Sequence, residues 1–455
     1  MKSPLATSIT AALALLSVPA LAGTFTVLPL TGDADSGITA AGAYTHAINI
    51  FDGPNVTVNG AVFTGSGGGA NPGTNNYSTT GLTAGFTGFD ALANDGISGV
   101  VGGMMTNFLY NGNPETVTLN NLRVGQQYRT TFYNAAFGPA GVRFQNITAS
   151  DLGTIHFDQN GLPGSLLQYD FTATANTMTY TIIPDVPGNT FHQYAFSNQI
   201  VGYKALLTDN FYAPSNPDTN NVNFNLAARQ GGSLVAGGGP ISYVPVGNTQ
   251  VGNATGGIDS GNYLLSAFGA RTAIDHNFKG ADSAGGLSIS FDFAPNSTGN
   301  GDTTLWQSLL LGMANADKNA AVNDGVPHFG ILFRGNGEIQ AFDGNSLVSG
   351  AERWTILTNV TNQLNHIEIL ATDPTDSNPF DGLGETDLAV YSNGSLIYSF
   401  VKGGGGYADN FINFGNIFIG GADNVMIAQV PEPGSFALLA LGGLALLRRR
   451  RQDAR

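Results

Sequence analysis

Leu287-Ser288-Ile289-Ser290-Phe291-Asp292-Phe293 alternates apolar and polar residues without a break. Successive side chains of a strand point to opposite faces, so this period of two predicts a β-strand with one buried face. The same reading extends outward. His328 to Phe342 sets two apolar runs around Gly335-Asn336-Gly337, and Leu388 to Tyr398 sets two around Asn393-Gly394. Glycine and asparagine tolerate the positive φ of tight turns, so both stretches predict hairpins. Nearer the N-terminus, Thr116–Leu119, Tyr128–Asn134, Val142–Ile147, Gly153–Phe157, Leu166–Ala173 and Met178–Ile183 read as further short strands. With 63 glycines, heavy use of Asn and Thr, and no long amphipathic helical pattern in the body, the fold class is all-β.

About 400 residues lie between the two terminal segments, which suits two β-sandwiches better than one. A polar stretch from Pro214 to Asn225 places the join near 206/207, giving tandem jelly-roll-like domains over 23–206 and 207–429. In the first, the strand Thr116–Leu119, the passage Leu122-Arg123-Val124-Gly125-Gln126-Gln127-Tyr128 and the late Phe171-Thr172-Ala173-Thr174 resemble galactose-binding-like jelly rolls. In the second, the order of Leu287–Phe293, the 328–342 hairpin, Asn365–Leu370, the Asn393-Gly394 hairpin and a closing strand over Gly420–Ile427 is similar to concanavalin A-like (laminin G-like) sandwiches.

The ends read differently. Lys2, the apolar run Ile9–Leu16 and Ala20-Leu21-Ala22 have the order of a secretory signal peptide over 1–22, predicting a mature start at Gly23. Val430-Pro431-Glu432-Pro433 is followed by an apolar run, 434–447, then Arg448-Arg449-Arg450-Arg451. Fourteen residues make a helix of roughly 21 Å, short of a ~30 Å hydrocarbon core, and the arginines can snorkel to extend its reach and keep that end cytoplasmic. Short motif, apolar segment and terminal basic cluster, over 430–455, resemble the PEP-CTERM sorting tail of Gram-negative bacteria. That resemblance implies processing by an exosortase, one short transmembrane helix before processing, export by the Sec route, and delivery to the cell surface or extracellular matrix.

Setting aside Lys2 and five tail arginines, and Glu432 and Asp453, leaves eleven basic and thirty acidic residues in the body, a net charge of about −19. A surface of that sign excludes binding to nucleic acid or to anionic headgroups through a basic patch. The absence of cysteine removes disulfides, thiol nucleophiles and Cys-based zinc sites, so stability must come from core burial.

Catalytic patterns are missing. A Glu-x-Asp-x-x-Glu run would bring two carboxylates together for glycoside hydrolysis, but Glu368 has no acidic neighbour within four residues and Glu385/Asp387 lack a third. His328, Arg334, His366 and Tyr391 could serve proton abstraction, although His366 on an apolar strand reads as structural. The small-ligand candidate is calcium at Asp373, Asp376 and Asp381, hard oxygens within one loop; the competing reading is a solvated Asx-rich turn. A second acidic loop runs from Asn315-Ala316-Asp317 to Asn323-Asp324. Aromatic candidates for stacking on sugars are Trp306, Trp354, Tyr44, Tyr77 and Tyr110. The expected function is a non-enzymatic exported protein of the surface or matrix that binds extracellular polysaccharide; the alternative is a carbohydrate-active enzyme with unrecognised catalytic groups.

Overall fold

The computed structural model describes residues 22–51, 55–65, 76–209, 230–231, 241–246, 249–253, 262–266, 271–294, 306–322, 324–334, 338–344, 346–347, 354–355, 365–403, 405–417 and 421–431. The expected transmembrane segment 434–447 and residues 1–21 of the expected signal peptide lie outside them. Among the described residues no helix is long and apolar enough to cross a membrane.

The molecule is all-β, built from antiparallel sheets that face each other in two sandwich-like halves. One long sheet runs through both. Its order is Thr24–Pro29, Gly164–Thr172, Gln127–Ala135, Ala195–Asp209, Gly421–Gln429, Leu287–Ala294, Asn365–Thr372, Thr386–Ser392 and Ser395–Lys402. In the first half it faces a five-stranded sheet, Thr154–Asp158, Phe144–Ala149, Met178–Pro184, Glu115–Leu119 and Tyr77–Thr80. In the second it faces the sheet built on Arg271–Ile274, Phe411–Ile417, Trp306–Met313, Phe329–Arg334 and Glu338–Asp343. Alternation supplies both cores. Val117, Leu119, Phe132, Ile147, Tyr169, Tyr180 and Phe196 fill the first. Ile289, Phe291, Phe293, Leu309, Ile331, Phe333, Ile369 and Ile427 fill the second.

The expected hairpins form. Phe329–Arg334 pairs with Glu338–Asp343, and Thr386–Ser392 pairs with Ser395–Lys402 across Asn393 (φ 49°) and Gly394 (φ 77°). Two strands explain how the halves join. The linking strand, Ala195–Asp209, pairs with Gln127–Ala135 over its first part and with Gly421–Gln429 over its last. The closing strand, Gly421–Gln429, pairs on its other edge with Leu287–Ala294. The 206/207 join read from the sequence falls within the linking strand, and Leu206 and Leu207 are both fully buried. The closing strand sends Val425 and Ile427 to the second core and Met426 and Ala428 to the first.

The fold-deciding stretch departs from its expectation in one respect. Ser288, Ser290 and Asp292 are as buried as their apolar neighbours. A strand in the middle of a sheet shared by two sandwiches has no solvent face, so its polar side must find partners inside.

Candidate functional site

Three places could carry function: the start of the sorting tail, the polar joint between the halves, and an aromatic cluster at one end of the first half.

The folded body reaches the tail with no intervening loop. Gln429 ends the closing strand and its side chain donates to the carbonyls of Ala281 (2.8 Å) and Ala284 (3.1 Å). Val430, the first residue of the motif, donates its N–H to Gly286 O at 2.9 Å and packs against the first core. Pro431 is the last described residue; Glu432, Pro433 and Arg448–Arg451 lie outside. At the other end, Ala22 is exposed and Ala20 lies outside the described residues, while the Gly23 N–H donates to Asp151 Oδ2 at 3.0 Å.

The joint is built on Arg123, from the first-half passage Leu122–Tyr128, and Glu368, from the second-half strand Asn365–Thr372. Arg123 Nη1 donates to Glu368 Oε1 at 2.8 Å, with both side chains over nine-tenths buried. Arg123 Nη2 donates to Gln126 Oε1 and Tyr203 Oη, and the guanidinium lies over the Tyr203 and Tyr391 rings, 5.7 and 5.4 Å from their centroids. Ser288 Oγ donates to the same Glu368 oxygen at 2.8 Å. Burial opposes the charge on Arg123, but the Glu368 carboxylate and the Tyr203 hydroxyl outweigh it and hold the guanidinium above its ordinary value. Nearby, His366 Nδ1 meets Asp292 Oδ1 at 2.8 Å, and Asp292 Oδ2 accepts from Asn424 at 2.9 Å. Burial would lower the His366 pKa, yet Asp292 raises it overall. Asn393 and Gly394 abut Leu122 so closely that a Cβ on Gly394 would stand 2.1 Å from the Leu122 carbonyl oxygen.

The residues weighed for acid–base chemistry therefore have framework partners. Glu368 is held by Arg123, His366 by Asp292, and Tyr391 lies against the guanidinium. Arg334 Nε donates to Gln340 Oε1 at 2.6 Å, and the buried His328 ring meets Val326 O at 2.7 Å.

The calcium candidates are not brought together. Asp373 accepts from the N–H groups of Thr375 (2.6 Å) and Glu385 (3.0 Å); Asp376 accepts from Asn378 (3.0 Å) and Asp381 from Leu383 (2.7 Å). Each is an Asx-type turn in which a carboxylate caps backbone two residues ahead. Burial works against the Asp373 charge, but these hydrogen bonds lower its pKa. Among the described residues no group of three or more His, Cys, Asp or Glu is arranged to hold a metal ion. In the second acidic loop, Asp324 accepts from Ala321 N at 2.7 Å and lies 3.4 Å from Arg271; Asn323 is outside the described residues.

The aromatic candidates divide. Tyr77 is core, edge-on to Phe196 at 5.1 Å. Tyr44 is partly buried against Phe63, its hydroxyl accepting from Thr39 N. Trp306 opens its strand, half-buried against a small satellite core. The Trp354 side chain is outside the described residues. Tyr110 belongs to a ring cluster that reaches the surface at Phe137. It meets Phe108 at 5.8 Å and His192 at 5.7 Å; Phe108 stacks on His192 at 4.1 Å and on Phe86 at 5.1 Å; Phe137 stands edge-on to Phe86, Phe108 and His192. Around these rings stand Asp95, Arg143 and Tyr194. Burial raises the Asp95 carboxyl to about 6 against one backbone hydrogen bond, and lowers both the Arg143 guanidinium and His192. None of Asp95, Phe137, Arg143, His192 or Tyr194 stood out in the sequence. The available signals were an aromatic before a Gly-Pro loop, Phe137-Gly138-Pro139, and the ring-rich run Phe191-His192-Gln193-Tyr194.

Over residues 429–451 the chain matches the PEP-CTERM protein-sorting motif. No curated protein matches the chain. Among solved structures, it is similar to the carbohydrate-binding module CBM66 from Bacillus subtilis, at 10% identity and a TM-score of 0.27 over 41% of this chain and 94% of that one. It is also similar to the Emp47p carbohydrate recognition domain, at 12% identity and a TM-score of 0.30 over 49% of this chain and 97% of that one. The tandem CBM22-1–CBM22-2 domains of Paenibacillus barcinonensis Xyn10C align over 86% of this chain and 99% of that one, at 10% identity and a TM-score of 0.23. Scores this low carry no argument about what this chain binds.

Proposed function

We propose that this protein is exported, sorted through its C-terminal motif to the cell surface or extracellular matrix, and binds polysaccharide there without transforming it. The observation that carries the reading is the junction at Gln429–Pro431. The sorting motif begins at the last residue of the closing strand, so removal of the residues after Pro431 severs none of the described strands. The N-terminal end supports export. Cleavage after Ala22 would create an α-ammonium at Gly23, where Asp151 already accepts that nitrogen's hydrogen bond and would gain a charged partner. The binding rather than catalytic reading rests on the partners of Glu368, His366, Arg334 and Tyr391, which tie these groups into the framework. Calcium at Asp373, Asp376 and Asp381 forms no part of this reading.

Intact-mass and N-terminal analysis of the surface-extracted protein tests the sorting. The expected species starts at Gly23 and lacks the residues after the motif; a mass that includes Leu438–Arg455 overturns it. A reducing-sugar assay run beside a glycan array tests the rest. Binding without new reducing ends is expected, and release of reducing ends would establish the enzymatic alternative instead.

A further inference from the structure

Resting on the reading that the leader is removed after Ala22, we infer that Asp151 and Tyr169 form a receptor for the α-ammonium of Gly23, so that processing fastens the first strand of the long sheet. Thr24–Pro29 stands at the rim of that sheet. Among the described residues it pairs only with Gly164–Thr172, from Thr24 opposite Asp170 to Pro29 opposite Ser165. Burial gives it little hold. Of its six residues all but Phe25 are exposed, and the Phe25 ring lies 4.3 Å from that of Tyr169. A rim strand with one apolar anchor depends on how its two ends are held. At the far end the Leu30 N–H donates to Gly164 O at 3.0 Å. The near end is Gly23.

The surroundings of Gly23 suit one residue type and one charge. Its N–H donates to Asp151 Oδ2 at 3.0 Å. The other carboxylate oxygen accepts from the Tyr169 hydroxyl, and from the Gly153 N–H at 3.3 Å. Asp151 is half-buried and Tyr169 fully buried, so the carboxylate is held from behind. A Cβ on Gly23 would stand 2.4 Å from Tyr169 Cζ and 2.5 Å from the Asp170 carbonyl oxygen, so glycine lets this nitrogen reach Asp151 where any other residue would be pushed away. The cations on the neighbouring strands are already engaged, Arg129 by Asp170 at 2.6 Å and His156 by Asp185 at 2.8 Å. Among the described residues Asp151 has no cationic partner; its contacts are the neutral donors of Gly23, Gly153 and Tyr169. In the precursor the Gly23 nitrogen is a peptide N–H. Cleavage of the bond from Ala22 turns it into an ammonium, and a charged donor makes a shorter, stronger hydrogen bond to a carboxylate than a neutral one.

The test compares two forms of the chain, both running to its last residue, one beginning at Gly23 and the other at Ala22. Both carry an α-ammonium, but only the first places it on Asp151. The Gly23 form is expected to melt a few degrees higher near pH 6, with slower hydrogen exchange over Thr24–Pro29. Asp151→Asn should abolish the difference between the forms. Gly23→Ala, which leaves Asp151 and Tyr169 in place, is the second variant and should bring the first form down to the other. Pairing raises the α-amino pKa above its ordinary value of about 8, so the advantage is full below that pH and is lost as pH rises through the folded value. Equal melting of the two forms, or an advantage that survives both Asp151→Asn and Gly23→Ala, overturns the receptor and leaves export standing. N-terminal analysis of the surface-extracted protein is read separately: a start other than Gly23 overturns the receptor and the processing reading together.

Discussion

Arg123 and Arg143 stand twenty residues apart, the first buried and the second half-buried, and their surroundings differ in one decisive way. Arg123 spends its guanidinium on Glu368, Gln126 and Tyr203 and sits over two rings, with Ser288 completing the carboxylate. Arg143 holds one backbone carbonyl and shares its neighbourhood with the unpartnered atoms of Asp95, His192 and Tyr194. A satisfied buried network rigidifies what surrounds it, whereas an unsatisfied one weakens the fold and is retained where something else completes it. The first cluster reads as a fastening between halves; the second leaves buried polar atoms unpaired.

Separating the halves tests the fastening at its strongest. Residues 22–206 made alone would lose Glu368, the closing strand and the end of the linking strand. They are expected to lack the cooperative melt of the whole body; two cooperative halves would show that the joint is dispensable. Arg123→Ala comes next. Leaving Glu368 buried without its partner is expected to cost about 3–5 kcal/mol in denaturant unfolding, and replacing Arg123 and Glu368 together by apolar residues should cost less than either single change. A third test strikes the same joint through the backbone. Gly394→Ala places a Cβ at positive φ and against the Leu122 carbonyl, for an expected loss of about 1–3 kcal/mol.

At the other cluster the sign reverses. Asp95 keeps its proton in the folded state up to about pH 6, while the unfolded chain releases it near its ordinary 3.8. Folding stability therefore falls as pH rises through that window, and the deficit is complete above it. Asp95→Asn should raise stability at pH 7, by a few tenths to about 1 kcal/mol for a group this accessible to solvent, and change nothing near pH 3. A variant that melts higher at pH 7 separates this cluster from the joint, where removing a partner lowers stability. The smallest expected effect concerns the loop at Asp373, Asp376 and Asp381, whose carboxylates are engaged with their own backbone. Its melting temperature should be the same in EDTA and in millimolar calcium; a calcium-dependent rise abolished by Asp376→Ala would return a metal to the loop.

Much of the strand pattern was legible. The Asn393-Gly394 turn, the alternating strands of both halves and the sorting motif all follow from local rules, because each is written within a few consecutive residues. The joint was not, since Arg123 and Glu368 are 245 positions apart and a lone glutamate on a strand carries no signal of its partner. Leu287–Phe293 reads as half-buried because periodicity reports which faces differ, not what covers each. Here Ser288 and Asp292 face Glu368 and His366 instead of water. The aromatic cluster draws on residues near 86, 108, 137 and 192, four separate stretches that only the fold assembles.

The closing strand also settles how the molecule would bear load. A tail tethered at Val430 pulls along the axis of Gly421–Gln429, the strand flanked on both edges by antiparallel neighbours. Antiparallel hydrogen bonds lie across the strand, so tension along it shears two ladders at once, where a strand at the sheet's rim would peel one bond at a time. A protein held at the surface through its last strand would thus carry force through the middle of its sheet.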